Sequence, residues 1–280
     1  MVQAALSPVL QRLYDATVAR IAREKEEEPE RELLRQATFA RTPLQFHPAW
    51  WGGWPAIIAE FKRASPSEGD INLEADPVKV ARRYLWNGAG AISVLTEPSE
   101  FKGDKEFLRR IRQQLPNARL LMKDFIIDWY QLLQARVYGA DAVLLIVDFI
   151  DRDLLKELYI QAGWLGLTPL VEVHNPEQFD FALKLGAKLI GVNNRDLRTM
   201  KVSLEISEQV GEIVKRLWKK RSRVTVITES GIRSGEDIVR LSLEEYRAFL
   251  VGTILMKSKF PGRALSKLMK EAVREVDRRG

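Results

Sequence analysis

The feature that most narrows the possible folds is a series of short apolar runs, each separated from the next by a turn and an amphipathic stretch. The runs are Ala56–Phe61 (AIIAEF), Ala91–Leu95 (AISVL), Arg119–Met122 (RLLM), Ala142–Val147 (AVLLIV), Pro169–Val173 (PLVEV), Lys188–Val192 (KLIGV), Val224–Ile227 (VTVI) and Ala248–Val251 (AFLV). Runs this short and this apolar read as strands buried on both faces, and strands that alternate with helices make a parallel sheet. The spacing predicts helices over Pro77–Asn87, Lys105–Leu115, Asp128–Tyr138, Arg152–Leu165, Pro176–Leu185, Leu204–Trp218, Gly235–Leu243 and Pro261–Arg278. Eight such units are the number that closes a (β/α)8, or TIM, barrel. The competing α/β fold, an open doubly wound sheet, usually carries a glycine-rich dinucleotide turn after its first strand, and none follows Ala56–Phe61.

Ahead of the first run, residues 6–40 read as helix. Val9, Leu10, Leu13, Tyr14, Val18 and Ile21 recur at helical spacing, and Pro29 separates one helix from a second. The segment HPAWWGGWP, His47–Pro55, reads as an ordered loop whose tryptophans pack over something apolar. The expected organisation is therefore one domain over 1–280: an N-terminal helical extension and Trp-rich loop over 1–55, then the barrel over 56–280.

Composition removes several chemistries. With no cysteine there is no disulfide, thiolate nucleophile or cysteine-ligated metal. The two histidines, His47 and His174, are too far apart in sequence to suggest a metal site. The net charge of +6 gathers in Lys215–Arg223 and at the end of the last helix, where cations suit a solvated helix terminus. No recognition motif accompanies it, so neither nucleic acid nor membrane is an expected partner. No apolar run has the length of a membrane span, and the first twenty residues lack a secretory core, which leads us to expect a cytoplasmic protein.

In a barrel the polar residues at the C-terminal ends of the strands converge on one mouth. Here those positions hold Glu60 and Lys62, Thr96 and Glu97, Lys123 and Asp124, Asp148, Glu172, Asn193 and Asn194, Glu229 and Ser230, and Gly252 and Thr253. Lys62 and Lys123 with Glu60, Glu172 and Glu229 on a partly buried rim are costly unless paired or used, and in a shared site of low polarity they shift one another's proton affinity. That is the condition for general acid–base work. Glu97, Asp124 and Asp148 are expected to orient the lysines or to face solvent. Ser230-Gly231 and Gly252-Thr253, with a short helix over Thr253–Met256, suggest a phosphate cradle, to which Lys62 and Arg63 would add charge.

These motifs resemble those of a known family. IIAEFKRASPSEGDI at Ile57–Ile71 is similar to the signature segment of indole-3-glycerol phosphate synthases. It is followed in the family's order by SVLTEPSEFKG at Ser93–Gly103, LLMKDFIID at Leu120–Asp128, GADAVLLIV at Gly139–Val147, PLVEVH at Pro169–His174 and IGVNNRDL at Ile190–Leu197. TESGI at Thr228–Ile232 and FLVGTILM at Phe249–Met256 complete the set. The resemblance covers about residues 50–260.

It implies a carboxy-lyase of tryptophan biosynthesis that converts 1-(2-carboxyphenylamino)-1-deoxyribulose 5-phosphate into indole-3-glycerol phosphate. It also implies that Lys123 is the general acid of ring closure and that Glu172 assists proton transfer at dehydration. Glu60 and Lys62 match positions beside the reacting centre, with the second acid and base left open among them. Asn193 and Glu229 match residues that hold the substrate's polar groups, and Arg195 a loop arginine that is structural or near the anthranilate carboxylate. Phe101, Phe125, Leu144 and Leu197 match the apolar walls around the ring, while Lys62, Ser65, Ser230, Gly231, Gly252 and Thr253 fall at the phosphate. Thr253 stands where serine is usual, and its extra methyl could crowd the anion. The resemblance implies no metal and no organic cofactor; the implied partners are the phosphorylated substrate and other tryptophan-pathway enzymes.

Two other functions fit such a barrel. One is the neighbouring phosphoribosylanthranilate isomerase, which typically uses a cysteine base at the end of the first strand, where this chain has Glu60 and Lys62. The other is a catalytically silent barrel that binds a phosphorylated ligand, whose mark would be a missing strand-end acid or base.

Overall fold

The computed structural model describes residues 6–48, 51, 53–196, 198–219 and 224–279. Among these, eight parallel strands form a closed barrel: β1 (Ala56–Phe61), β2 (Ala91–Leu95), β3 (Leu120–Lys123), β4 (Ala142–Ile146), β5 (Thr168–Val173), β6 (Leu189–Asn193), β7 (Thr225–Glu229) and β8 (Ala248–Val251). Each strand pairs with its neighbours in chain order, and β1 closes the ring by pairing with both β2 and β8. The sequence placed all eight. Several run one or two residues beyond the apolar run, so that Lys123, Asn193 and Glu229 are last residues of strands rather than first residues of loops. A polar or charged side chain ends the apolar pattern without ending the ladder: Asn193 and Glu229 are register partners across β6 and β7.

Side-chain caps open several of the helices that follow the strands. Asp76 opens α3 (Pro77–Trp86) by accepting from the Lys79 amide, Asp128 opens α5 (Trp129–Tyr138), and Asn175 opens α7 (Pro176–Leu185). Between them lie α4 (Glu106–Gln114) and α6 (Arg152–Trp164). They are followed by α8 (Glu205–Lys219), α9 (Gly235–Ser242), the single turn α10 (Thr253–Met256) and α11 (Pro261–Arg279). A small hairpin, Ala64–Ser65 against Gly69–Asp70, follows β1; two residues per strand leave no periodicity for a sequence reading to detect.

The N-terminal segment divides between the two ends of the barrel. Helix α1 (Pro8–Glu27), capped by Ser7, and α2 (Glu30–Phe39) meet at Pro29, which stands at the N-cap of α2. Helix α1 crosses the C-terminal mouth, where the buried Arg20 guanidinium grips Asp124, just after β3, with nitrogen–oxygen distances of 2.8 and 3.2 Å. Tyr14 packs edge-on against Phe149, which follows β4. The Trp-rich loop serves the opposite end. Trp51 packs against Phe46, with ring centroids 5.2 Å apart, and covers Gly90 just before β2, where any Cβ would collide with the indole. His47 Nε2 lies 2.8 Å from the hydroxyl of Thr225 at the start of β7. Trp51 thus closes the barrel floor, as an apolar plug, while Trp50 lies outside the described residues.

Candidate active site

Alternation along the strands sends every second side chain into the barrel. At the C-terminal end this brings Glu60 from β1, Lys123 from β3, Glu172 from β5, Asn193 from β6 and Glu229 from β7 to the wall of one cavity. Lys62, Ser65, Ser230, Gly231, Gly252 and Thr253 line the same space from the loops above the strands, with Arg195, Phe101, Phe125 and Leu144. All the site residues expected from the sequence converge there except Leu197, which lies outside the described residues.

Two charge clusters organise the floor. Lys123 Nζ stands 2.5 Å from Glu229 Oε2 and 3.2 Å from Glu172 Oε2, so one ammonium bridges two buried carboxylates. Lys62 Nζ lies 2.8 Å from Glu60 Oε1 and donates to the Thr253 hydroxyl at 3.3 Å. Glycine makes room for both glutamates: a Cβ on Gly191 would strike Glu229 Oε1, and one on Gly252 would strike Glu60 Oε1. These are close-approach glycines, dictated by the carboxylate lying back over the neighbouring strand.

The proton affinities follow from this crowding. Burial works against the Lys123 ammonium, yet the adjacent Glu229 and Glu172 outweigh it, and Lys123 is held above its ordinary value. Glu172 is also opposed by burial, but Lys123, His174 and Asn193 hold it below the usual carboxylate range. Glu229 goes the other way. Burial, with repulsion from Glu172 and Glu60, exceeds the pull of Lys123 and pushes it up to about 7, and its Oε1 is buried without a hydrogen-bond partner. Glu60, Glu172 and Glu229 crowd the two lysines, and Glu229 is the carboxylate whose proton affinity rises.

The sign of the linkage is fixed by that upward shift. A carboxyl that holds its proton more tightly when folded loses stability as pH rises from its unfolded value through about 7, and no further above that. Glu229→Gln mimics the neutral form. The variant should therefore be more stable than the parent above pH 7, by at most about 3 kcal/mol, and equal to it near pH 4. Urea unfolding at the two pH values measures this; a variant less stable at pH 8 would show that the ionised pair with Lys123 is net stabilising.

Three expectations change in the structure. Asp124 does not orient a lysine: it is consumed by Arg20, by the Thr96 hydroxyl at 2.6 Å and by the Phe125 amide at 2.8 Å. Glu97 neither orients a lysine nor faces solvent. It accepts from Ser99, Glu100 and Phe101, and so shapes the loop that carries Phe101 to the cavity. Arg63 adds no charge to the cradle, because its guanidinium lies over the Phe107 ring and donates to the Ala75 carbonyl at 2.9 Å. Asn194 binds its own surroundings, joining Thr228, Glu229 and Ser230 to the loop after β6.

Val9, Leu10 and Leu13 of α1 line the cavity and were missed as site residues, as were Pro66, Ser67 and Met200. The apolar stripe of α1 was legible, but nothing in its spacing distinguishes a side chain packed on protein from one that faces a cavity. Phe101 and Phe125 stand 6.0 Å apart, and Phe125 and Phe149 4.8 Å, which gives the mouth an aromatic flank beneath α1. The site thus has an acidic and basic floor, an apolar flank, and loop backbone with hydroxyls beside Lys62.

The chain is 43% identical over 217 residues to an indole-3-glycerol phosphate synthase from Carboxydothermus hydrogenoformans, covering 78% of this chain and 80% of that protein. It is 40% identical over 264 residues to the enzyme of the same name from Salinibacter ruber, covering 94% and 96%. Among solved structures, 3-hexulose-6-phosphate synthase from Salmonella typhimurium superposes with a TM-score of 0.58 at 13% identity, over 78% of this chain and 99% of that one, a likeness of fold. The family model for indole-3-glycerol phosphate synthase matches residues 10–268, from within α1 to α11, and the chain belongs to that family.

Proposed function

We infer that the cavity closes an indole ring, taking 1-(2-carboxyphenylamino)-1-deoxyribulose 5-phosphate to indole-3-glycerol phosphate with release of carbon dioxide and water. The observation that carries the residue roles is the position of Lys123, an ammonium held between Glu172 and Glu229 on the floor of one cavity, with Lys62 and Thr253 on the same wall.

The substrate's phosphate fits the loops at Ser65, Ser230, Gly231, Gly252 and Thr253, with Lys62 supplying charge. Thr253 is compatible with that role, since its hydroxyl already accepts from Lys62. The anthranilate ring fits the flank formed by Phe101, Phe125 and Leu144 under α1. Arg195, whose guanidinium donates to the Met200 carbonyl at 3.0 Å, is suited to the ring carboxylate at the edge of the cavity. The sugar ketone then falls over the floor.

Ring closure forms a bond between the carboxylate-bearing aromatic carbon and the ketone carbon. The carbonyl electron pair moves to oxygen, where Lys123 delivers its proton. An amine held above its ordinary pKa is charged at neutral pH, and a developing alkoxide is basic enough to take that proton. The iminium left on the ring draws the electron pair of the carbon–carboxylate bond as carbon dioxide departs. Loss of the new hydroxyl as water then needs a proton on oxygen and removal of a ring-methylene proton, steps for which Glu172 and the Glu60–Lys62 pair are in place. Asn193 and Glu229 hold the sugar hydroxyls.

Neither alternative gains from the site. The strand-end acids and bases expected of a working enzyme are present, and β1 ends in Glu60 and Phe61, followed by Lys62. No helix among the described residues is long and apolar enough to cross a membrane; a cytoplasmic enzyme acting beside others of the tryptophan pathway is consistent with this reading. The purified protein given the phosphorylated anthranilate ketose should develop indole fluorescence with release of one carbon dioxide. A folded sample that binds the substrate and yields no product would return the silent-barrel reading.

A further inference from the structure

His174 has no part in the chemistry above, yet it is buried just past the end of β5, two residues beyond Glu172 and on the same side of the chain. It does not line the cavity. Its Nε2 stands 3.3 Å from Glu172 Oε1, and its Nδ1 stands 3.8 Å from Asp148 Oδ2, in the loop after β4. Gln178, on the first turn of α7, ties the two loops together. Its side-chain carbonyl accepts from the His174 amide at 2.7 Å, and its amide donates to Asp148 Oδ1 at 2.5 Å. Neither ring nitrogen is in hydrogen-bond alignment, and among the described residues the imidazole is a buried polar group with two carboxylates as its close charged partners. Burying such a ring is costly unless charge compensates it.

We propose that His174 is a positioning residue for Glu172: an imidazolium wedged between Asp148 and Glu172 that engages Glu172 Oε1 from behind the cavity wall and leaves Oε2 facing Lys123. The division of the carboxylate is visible in the distances, with Oε1 toward His174 and Oε2 toward Lys123. The arrangement also supplies the second cation that Glu172 requires if it is to stay ionised while Glu229 competes for Lys123. The groups facing His174 are Glu172 on its own strand, Asp148 after β4, Gln178 on α7 and, farther off, Glu229 on β7. Burial opposes the charged ring, but Glu172, Asp148 and Glu229 together lift His174 above its ordinary value. The inference rests on the catalytic use of Glu172 proposed above.

The chain has two histidines, so the test is direct. In the full-length protein labelled with 15N-histidine, the ring of His174 should titrate above 6.5, whereas burial holds His47 below it. Glu172→Gln should lower the His174 midpoint, and Asp148→Asn should lower it by less. In steady-state assays, His174→Gln should reduce kcat about tenfold with KM within about twofold, as expected for a misplaced reacting group, and His174→Leu should reduce it further. A His174 ring that titrates below 6.5 and ignores Glu172→Gln would overturn the proposal. So would folded His174 variants that retain the parent kcat, or that lose thermal stability alone. If His174→Leu does not fold, His174→Gln and the titration decide. Absence of indole product from the unmutated protein would instead sink the function proposed above, and the titration would still report on the pairing.

Discussion

Lys123→Ala is expected to lower kcat by about 10²–10⁴-fold, the contribution of a positioned general acid, while the substrate still binds. The argument rests on what each part of the cavity contributes. Phosphate and ring are held by the loops and the aromatic flank, whereas the Lys123 ammonium pairs with Glu172 and Glu229 on the floor, so ground-state affinity should survive. No second ammonium is free to supply the proton for the ketone oxygen: Lys62 is occupied by Glu60 and Thr253, Glu172 is held in its ionised form, and a Glu229 carboxyl near 7 is only partly protonated at neutral pH. Removing Lys123 also leaves Glu172 and Glu229 facing one another without their shared cation. Both proton affinities should rise, and Glu229, already near 7, should stay protonated to higher pH. Single-turnover fluorescence with substrate in excess over Kd separates chemistry from binding. Retention of more than a tenth of the parent rate would remove Lys123 from the acid role, and a fall in binding matching the fall in rate would make it a substrate-holding group.

How much of this was legible in the sequence depends on whether a residue's surroundings are local. The strands were, because a strand buried on both faces must be apolar for its whole length whatever it packs against. The convergence of Glu60, Lys123, Glu172, Asn193 and Glu229 was legible for a related reason: in a parallel barrel every strand ends at the same mouth. What could not be read were pairings that depend on distant segments. Asp124 follows Lys123 directly and was expected to serve it or to face solvent, whereas its partner is Arg20, on a helix more than a hundred positions earlier. Arg63 sits beside Lys62 yet turns outward to Phe107, because residues on opposite sides of a strand-like segment go to opposite faces. His174 offers no metal-ligand spacing, and its carboxylate neighbours come from β5 itself and from the loop after β4, a juxtaposition that sequence distance hides. Of the Trp-rich loop, expected to pack over something apolar, Trp51 does so at the barrel floor, whereas Trp54 is exposed and Trp50 lies outside the described residues.

The Arg20–Asp124 pair shows what such a distant contact is worth. Arg20 is 8% exposed and the Asp124 side chain 0%, so both charges have left water. A buried pair of this kind adds little over an apolar substitute, but breaking it from one side strands a charge in a medium that cannot solvate it, at a cost of about 3–5 kcal/mol. Arg20→Met should incur that cost, since methionine fills the space of the arginine stem and leaves Asp124 with only Thr96 and its own loop amide. The chain has a cheaper response than global unfolding, which is to release α1 and let water reach Asp124. Release would carry Val9, Leu10 and Leu13 away from the cavity, so KM should rise more than kcat falls, and α1 should become the preferred site of proteolytic cleavage. Adding Asp124→Asn to Arg20→Met removes the stranded charge while keeping an acceptor for the Phe125 amide. The double variant should therefore be more stable than Arg20→Met alone and should recover most of the lost KM. Urea unfolding and KM for the two single variants and the double variant measure the coupling. A coupling below about 0.5 kcal/mol, with KM unchanged throughout, would mean that α1 is held over the mouth by its apolar stripe alone.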